Sequence, residues 1–186
     1  MKITEELPAV ITGNPAYSNI LTRTSVRQYA ADRPVTDAEV TALLHAAMAA
    51  PSGVNRQPWE LIVIDSRELL DALAEALPYA KMLAHAPMAI AVCGNSARFL
   101  DGDDSVLWQQ DLSAASENIL LAANALGIGG VWTCLYPHPD RISAARRILA
   151  IPDGIIPFNI IPIGHPATPP HPRDKWQPAR VHHNTY

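Results

Sequence analysis

Cysteine, charged residues and aromatic residues are all scarce in this sequence. Its two cysteines, Cys93 and Cys134, have neither the number for a disulfide framework nor the spacing of metal ligands, and both fall in apolar, β-like segments. We therefore expect buried free thiols in a reducing compartment. The seven histidines also lack ligand spacing, so no metal site is predicted. Because charged residues make up only 17% of the chain, we infer that part of its apolar surface is buried in an oligomer.

Long apolar runs and basic clusters are missing as well. The longest apolar run is far shorter than a membrane-spanning helix, and residues 1–22 contain no apolar segment typical of a secretory signal. A net charge of −4 without lysine-rich runs disfavours binding to nucleic acid or to anionic membranes. These absences predict a cytoplasmic protein that binds neither nucleic acid nor membranes.

What the sequence does contain is enough apolar material for one core. Its 186 residues are 48% hydrophobic and show no internal repeat, which predicts a single domain over 1–186. We expect an N-terminal extension over 1–13 and a proline-rich C-terminal arm over 166–186. Apolar periodicity and capping residues predict helices over about 15–22, 37–49, 67–77, 105–126 and 139–150, and strands over about 60–65, 88–93, 131–135 and 155–164.

This alternation indicates an α/β or α+β fold with helices on both faces of one sheet. The same patterns place some side chains. Ile20 and Leu21 should point inward from the first helix, and Trp59 and Trp132 should lie in the core. Trp108 is the better aromatic candidate for lining an open pocket, because an indole suits a flat ligand face.

A loop over 50–59 concentrates short polar side chains between a helix and a strand. Two prolines and a glycine keep it out of regular structure. Ser52, Asn55 and Gln57 offer hydroxyl and amide groups without net charge. That inventory suits a planar heterocycle with several carbonyl and ring-nitrogen positions, although a polar helix-to-strand connector would have the same composition.

Two further segments have ligand-binding character. Residues 23–27 read Arg-Thr-Ser-Val-Arg, and two guanidinium groups around two hydroxyls match the oxygens of a phosphate. A solvated surface pair is the alternative. Residues 127–130 read Gly-Ile-Gly-Gly, and the glycines beyond the helix cap would let backbone N–H groups approach a ring closely. No helix pattern follows them, so they do not form a dinucleotide-binding turn.

Taken together, these segments resemble the signature blocks of the nitroreductase family. Residues 23–27, 50–59 and 111–132 stand in the family's order, as does the Ile-Pro-Ile-Gly-His-Pro segment over 161–166, and the resemblance extends from Asn14 onward. It implies a three-layer α+β fold with a central mixed sheet flanked by helices. It also implies an intertwined homodimer with FMN at each of two interface sites.

The resemblance further implies a role for each matching residue. Arg23, Ser25 and Arg27 would hold the ribityl phosphate and the pyrimidine edge of the flavin, and Thr24 stands where many relatives have arginine or histidine. The other implied positions are the loop residues Pro51, Ser52, Gly53 and Asn55, which would reach the flavin from the other subunit; Gly129 and Gly130, beside its hydride-accepting nitrogen; and Gly164 with Arg173 or Lys175, at the phosphate.

The implied activity needs no catalytic side chain. NAD(P)H would reduce FMN and leave, and a nitroaromatic, quinone or activated enone would then be reduced on the same face. Two alternatives stay open. One is a flavin-binding sensor or carrier with little turnover. The other is a specialised relative that dehalogenates its substrate or fragments flavin, but the connection over 95–105 leaves little room for the lid that such relatives usually carry.

Overall fold

The computed structural model describes residues 7–186, so the first part of the predicted N-terminal extension lies outside the described residues. The helices are α1 (Ala9–Thr12), α2 (Pro15–Thr22), α3 (Asp37–Met48), α4 (Arg67–Ala76), α5 (Trp108–Ala125) and α6 (Pro139–Ile148). The strands are β1 (Trp59–Ile64), β2 (Met88–Asn95), β3 (Gly129–Gly130), β4 (Thr133–Cys134) and β5 (Ile155–Gly164). Short 3₁₀ turns, including Gly53–Asn55 and Gly102–Val106, lie in the connections. No helix in this part of the chain is long and apolar enough to cross a membrane.

Side-chain caps define where several helices begin. Asn14 accepts hydrogen bonds from the first turn of α2, and Ser66 accepts one at the start of α4. Thr36 and Glu39 form a reciprocal capping box at α3. These are the starts that the sequence predicts. The predicted start of the long helix at 105 is wrong, because residues 102–106 form a 3₁₀ turn and α5 begins at Trp108.

The sheet has the order β1-β2-β5-β3, and β4 also pairs with β5. These strand pairs are all antiparallel. An isolated parallel bridge joins Ser25 to Gly130. Within residues 7–186, this bridge is the parallel component of the predicted mixed sheet. Of the strand predicted over 131–135, the structure has Thr133–Cys134 as β4, and β3 lies just before the predicted strand, at Gly129–Gly130. The strands β3 and β4 pair with β5 in the same register, with Gly130 opposite Ile163 and Thr133 opposite Ile160.

Helices cover both faces of the sheet, giving the predicted three-layer α+β architecture. Alternate residues of a strand point to opposite faces, and β2 divides its side chains accordingly. Ile90 and Val92 pack with α3 and α5, whereas Ala89, Ala91 and Cys93 pack with α4 and α6. Two residues of α5, Asp111 and Glu117, contact the site residues described below.

Two predictions about apolar side chains are wrong for the single chain. Ile20 and Leu21 are 56% and 50% exposed, not turned inward. The reason is that α2 is attached to α5 through Asn19, whose amide donates to the Leu121 carbonyl at 2.9 Å and accepts from Asn124 at 2.8 Å. The polar side chain therefore occupies the inner face, and its apolar neighbours point away from it.

Two further predictions, for Trp108 and Cys134, are wrong. Trp108 is buried and does not line an open pocket, since its ring stacks on Phe99 with centroids 4.8 Å apart. Cys134 is exposed, although it lies in β4 and pairs with Asn159 of β5. Cys93 is buried as predicted, and burial raises the pKa of its thiol to about 12.

Candidate functional site

A cavity of about 550 Å³ lies between residues 23–28 and the C-terminal arm over 168–175. Four basic side chains line it: Arg23 and Arg27 from the first segment, and Arg173 and Lys175 from the arm. Thr24, Ser25 and Thr168 also line it, as does His171. We call this space the cation cavity. It concentrates positive charge and hydroxyl groups, the chemistry that binds a phosphate dianion.

The segment over 23–28 is held extended by the rest of the fold. The Val26 amide donates to the Gly130 carbonyl at 3.0 Å, next to the Ser25–Gly130 bridge. Tyr29 is buried, and its hydroxyl donates to the Val26 carbonyl at 2.9 Å. Burial raises the pKa of Tyr29 above its usual range, so the phenol remains neutral. The backbone of the cavity wall is therefore fixed before any ligand arrives.

The C-terminal arm forms the opposite wall because its first residues pair with this segment. Tyr29 and Pro166 form an antiparallel bridge, and the Ala167 amide donates to the Gln28 carbonyl at 3.0 Å. The prediction named Arg173 and Lys175 as alternatives for the phosphate, and both line the cavity. Sequence reasoning missed Gln28, Thr168 and His171, because only this pairing brings the arm beside the segment.

Glu117 is a neighbour of the cation cavity that the sequence did not identify. Its carboxylate lies 3.2 Å from Arg23 Nε, and the Arg23 side chain is only 18% exposed. A guanidinium group carries five N–H donors. An ion pair through Nε leaves the two terminal nitrogens of Arg23 for a ligand.

Three of the candidate glycines, Gly129, Gly130 and Gly164, are required by the packing of the chain itself. A Cβ on Gly129 would stand 2.5 Å from Val26 Cβ, and one on Gly164 would stand 2.8 Å from the Tyr29 ring. A Cβ on Gly130 would meet Ile163 at 3.1 Å. These contacts let residues 26–29 lie directly against β3 and β5. Close approach of a flavin ring to Gly129 and Gly130 stays a prediction.

The polar loop, residues 51–57, has an unusual backbone. Val54, Asn55 and Gln57 have positive φ angles of 50°, 56° and 49°, a region that non-glycine residues rarely occupy. Inside the loop, the Gln57 amide donates to Ser52 Oγ at 2.9 Å, and its side chain donates to Asn55 Oδ1 at 2.8 Å. Asp111 of α5, itself 9% exposed, accepts from the Gly53 amide at 2.9 Å.

The structure divides the predicted site residues between two places. Arg23, Thr24, Ser25, Arg27, Arg173 and Lys175 meet at the cation cavity. Pro51, Ser52, Gly53 and Asn55 belong to the polar loop and are not among the residues that line the cavity. Gly129 and Gly164 lie behind the cavity wall, against Val26 and Tyr29, and the Gly130 carbonyl accepts a hydrogen bond from the Val26 amide. One chain therefore presents two parts of the predicted site without joining them.

Comparisons with known proteins agree on one family. The model of the nitroreductase family matches residues 20–81 and 74–165. A protein of Methanothermobacter thermautotrophicus named "Putative NADH dehydrogenase/NAD(P)H nitroreductase" is 42% identical over 98% of this chain and 93% of its own length. A crystal structure of the same name from Bacteroides thetaiotaomicron has a TM-score of 0.88 at 46% identity, covering 94% of this chain and all of that one.

A third relative was crystallised with a ligand. The structure of a "putative nitroreductase in complex with fmn" from Desulfovibrio desulfuricans has a TM-score of 0.78 at 30% identity, and covers 93% of this chain and 98% of that one. Together the comparisons confirm both the resemblance inferred from the signature segments and the predicted α+β fold.

Proposed function

Because the chain belongs to the nitroreductase family, we propose that it is an FMN-dependent oxidoreductase that takes hydride from NAD(P)H and reduces small electrophilic acceptors. The cation cavity is the observation that carries this proposal. It gathers four basic side chains beside hydroxyl groups, and the D. desulfuricans relative binds FMN. An exposed thiol at Cys134 suits the cytoplasm, where we expect the enzyme to act.

The residues of the cavity fit an FMN phosphate in charge and in donor type. The phosphate is a dianion, and Glu117 already balances part of the charge of Arg23. Arg27, Arg173 and Lys175 supply the remaining positive charge. Guanidinium groups can hold two phosphate oxygens at once, and the hydroxyls of Thr24 and Ser25 can donate to others. We therefore assign the ribityl phosphate to this cavity.

The flavin ring requires neutral donors, and the polar loop provides them. Ser52 and Asn55 carry a hydroxyl and an amide, but their own chain holds them away from the cation cavity. In the proposed homodimer, the loop of one protomer completes the site of its partner. Exposed apolar side chains support such an assembly, since Ile20 is 56% exposed, Val10 82% and Met48 56%.

FMN, when bound, supplies the hydride chemistry in two half-reactions. The chain binds and orients the cofactor through the cavity and the loop, and excludes water from one side of it. A small acceptor such as a nitroaromatic, a quinone or an activated enone would then use the open face after NAD(P) has left. No side chain is assigned a proton-transfer role.

Visible absorption of the purified protein tests the proposal directly. FMN reconstitution should give a flavin spectrum that NADH or NADPH bleaches within seconds under anaerobic conditions. Adding a nitroaromatic or a quinone should restore the spectrum. A control with reduced nicotinamide and acceptor but no protein measures the background reaction. A flavin spectrum that neither nucleotide bleaches would indicate a flavin carrier or sensor, and failure to bind FMN at all would refute the proposed site.

A further inference from the structure

We propose that Asp111 is a positioning residue that holds the polar loop in the conformation in which it contacts FMN. The inference rests on the proposed function for the identity of the ligand. Asp111 does not line the cation cavity, and the role assigned to it is indirect, through the backbone of Gly53.

The loop needs an external anchor because its backbone is strained. Val54, Asn55 and Gln57 all have positive φ, and such a conformation persists only where surrounding contacts impose it. Val54 is 83% exposed, so burial of its side chain does not impose the strained backbone. The bonds from Gln57 to Ser52 and to Asn55 are internal, and they fix the shape of the loop without attaching it to the fold.

Asp111 supplies that attachment. Its Oδ1 accepts from the Gly53 amide at 2.9 Å, and Asp111 is 9% exposed. A charge-assisted hydrogen bond to such a shielded acceptor is strong, because water competes poorly for the buried Asp111 side chain. Within residues 7–186, the other side-chain bond that reaches the loop from outside is weaker, since Arg98 lies 3.5 Å from the Gln57 carbonyl on the exposed side.

Losing the Asp111–Gly53 bond should free the loop, so FMN binding would have to order it again. The bond can be removed from either side. Asp111→Ala removes the acceptor, and Asp111→Asn keeps an oxygen there. Gly53→Pro removes the donor and places the proline Cδ against Asp111 Oδ1, so it disrupts the same contact from the loop side. The extended backbone of Ser52 (φ −144°, ψ 154°) is compatible with a following proline.

The experiment titrates each apoprotein with FMN and measures amide hydrogen exchange over residues 50–58. Asp111→Ala and Gly53→Pro should each weaken FMN binding by about tenfold or more. The double variant should bind FMN no more weakly than the weaker-binding single variant, because both changes remove the same bond. Asp111→Asn should stay within about threefold of the wild type. Exchange over 50–58 should be faster in Asp111→Ala without FMN.

Ser116→Ala is the matched control. Ser116 is a buried polar residue of the same helix, and it bonds to Asn159 and not to the loop. This variant should lower Tm but leave FMN affinity and loop exchange unchanged. If Asp111→Ala does not fold, Gly53→Pro and Asp111→Asn carry the comparison.

The outcomes separate this inference from the proposed function. Wild-type affinity and exchange in Asp111→Ala, or additive losses in the double variant, would overturn the positioning role while the wild type still bound FMN. A wild type that bound no FMN would overturn the proposed function and the ligand-directed role with it.

Discussion

Asp111 and Glu117 extend from one helix, α5, to the two separate parts of the proposed site. Asp111 accepts a hydrogen bond from Gly53 of the polar loop, and Glu117 pairs with Arg23 of the cation cavity. A buried helix is a rigid element, so it fixes both parts relative to one framework. The long helix α5 therefore positions site residues as well as forming part of the core. Each proposed site, with its cavity from one protomer and its loop from the partner, would therefore depend on the α5 helices of both protomers.

Arg23→Ala and Arg27→Ala should each weaken FMN binding by about 1.5–3 kcal/mol, the contribution of a hydrogen bond to a charged group. Both side chains line the cation cavity, and neither substitution opens the hydrophobic core. Titration of the apoprotein with FMN measures the change. Arg147→Ala is the control, because Arg147 is exposed on α6 and is not among the residues that line the cavity. Wild-type FMN affinity in Arg23→Ala and Arg27→Ala, as in the control, would contradict the assignment of the phosphate to this cavity.

Two variants that each bind FMN weakly should complement each other if the site is shared between protomers. In a mixed dimer of Arg23→Ala and Gly53→Pro chains, one site would combine both defects, and the other would combine an intact cavity with an intact loop. Random mixing should therefore recover about one site in four. Unfolding and refolding the two chains together, followed by FMN titration, measures this fraction. No recovery above the separate variants would mean that each site is built within one chain.

Gly129→Ala should destabilise the fold by about 1–3 kcal/mol, a typical cost of overpacking. The added Cβ would lie 2.5 Å from Val26 Cβ, a position that no rotamer of valine can relieve. Gly53→Ala offers a comparison, because its Cβ would meet Leu100 at an ordinary 3.4 Å. Urea unfolding of the two apoproteins should show a clear loss for the first and a change of less than about 0.5 kcal/mol for the second.

The capping box of α3 should make part of the stability depend on pH. A hydrogen bond from the Thr36 backbone, and then one from its hydroxyl, lowers the pKa of Glu39 below its usual value. A carboxyl group whose pKa is lower in the folded state stabilises the fold above its unfolded pKa. That contribution disappears as the pH falls through the lower, folded pKa.

Glu39→Gln tests this dependence. The variant should be less stable than the wild type by about 0.5–1 kcal/mol at pH 7, and the difference should shrink as the pH falls below the unfolded pKa of about 4.3. Thermal unfolding from pH 7 to pH 3 measures it. Glu68→Gln removes an acid from the first turn of α4, where Ser66 alone makes the side-chain cap, and should give a smaller and flatter difference. A pH-independent effect of Glu39→Gln would contradict the assignment.

Local signals predicted much of the fold. Asn14, Thr36 and Ser66 each begin the helix that the sequence indicates, because a cap is a contact between near neighbours. The strand over 155–164 was also predicted, since its apolar run is long and β-branched.

Predictions that depend on distant residues failed or were incomplete. The burial of Trp108 depends on Phe99 and Phe158, and the outward direction of Ile20 depends on a bond from Asn19 to α5. The sequence identified basic residues on both walls of the cation cavity. It gave no signal for Glu117, because its partner Arg23 follows α2 and is distant along the chain. Such contacts are set by tertiary packing, which no local pattern encodes.

The separation of the polar loop from the cation cavity links cofactor retention to protein concentration. When a ligand is held by two chains, each bound ligand also strengthens their association, and each lost ligand weakens it. Under the proposed assembly, dilution would therefore release FMN more steeply than simple one-to-one binding allows. The flavin absorbance of a dilute solution would then report the fraction of chains that are dimeric, because bound FMN would reversibly stabilise the dimer.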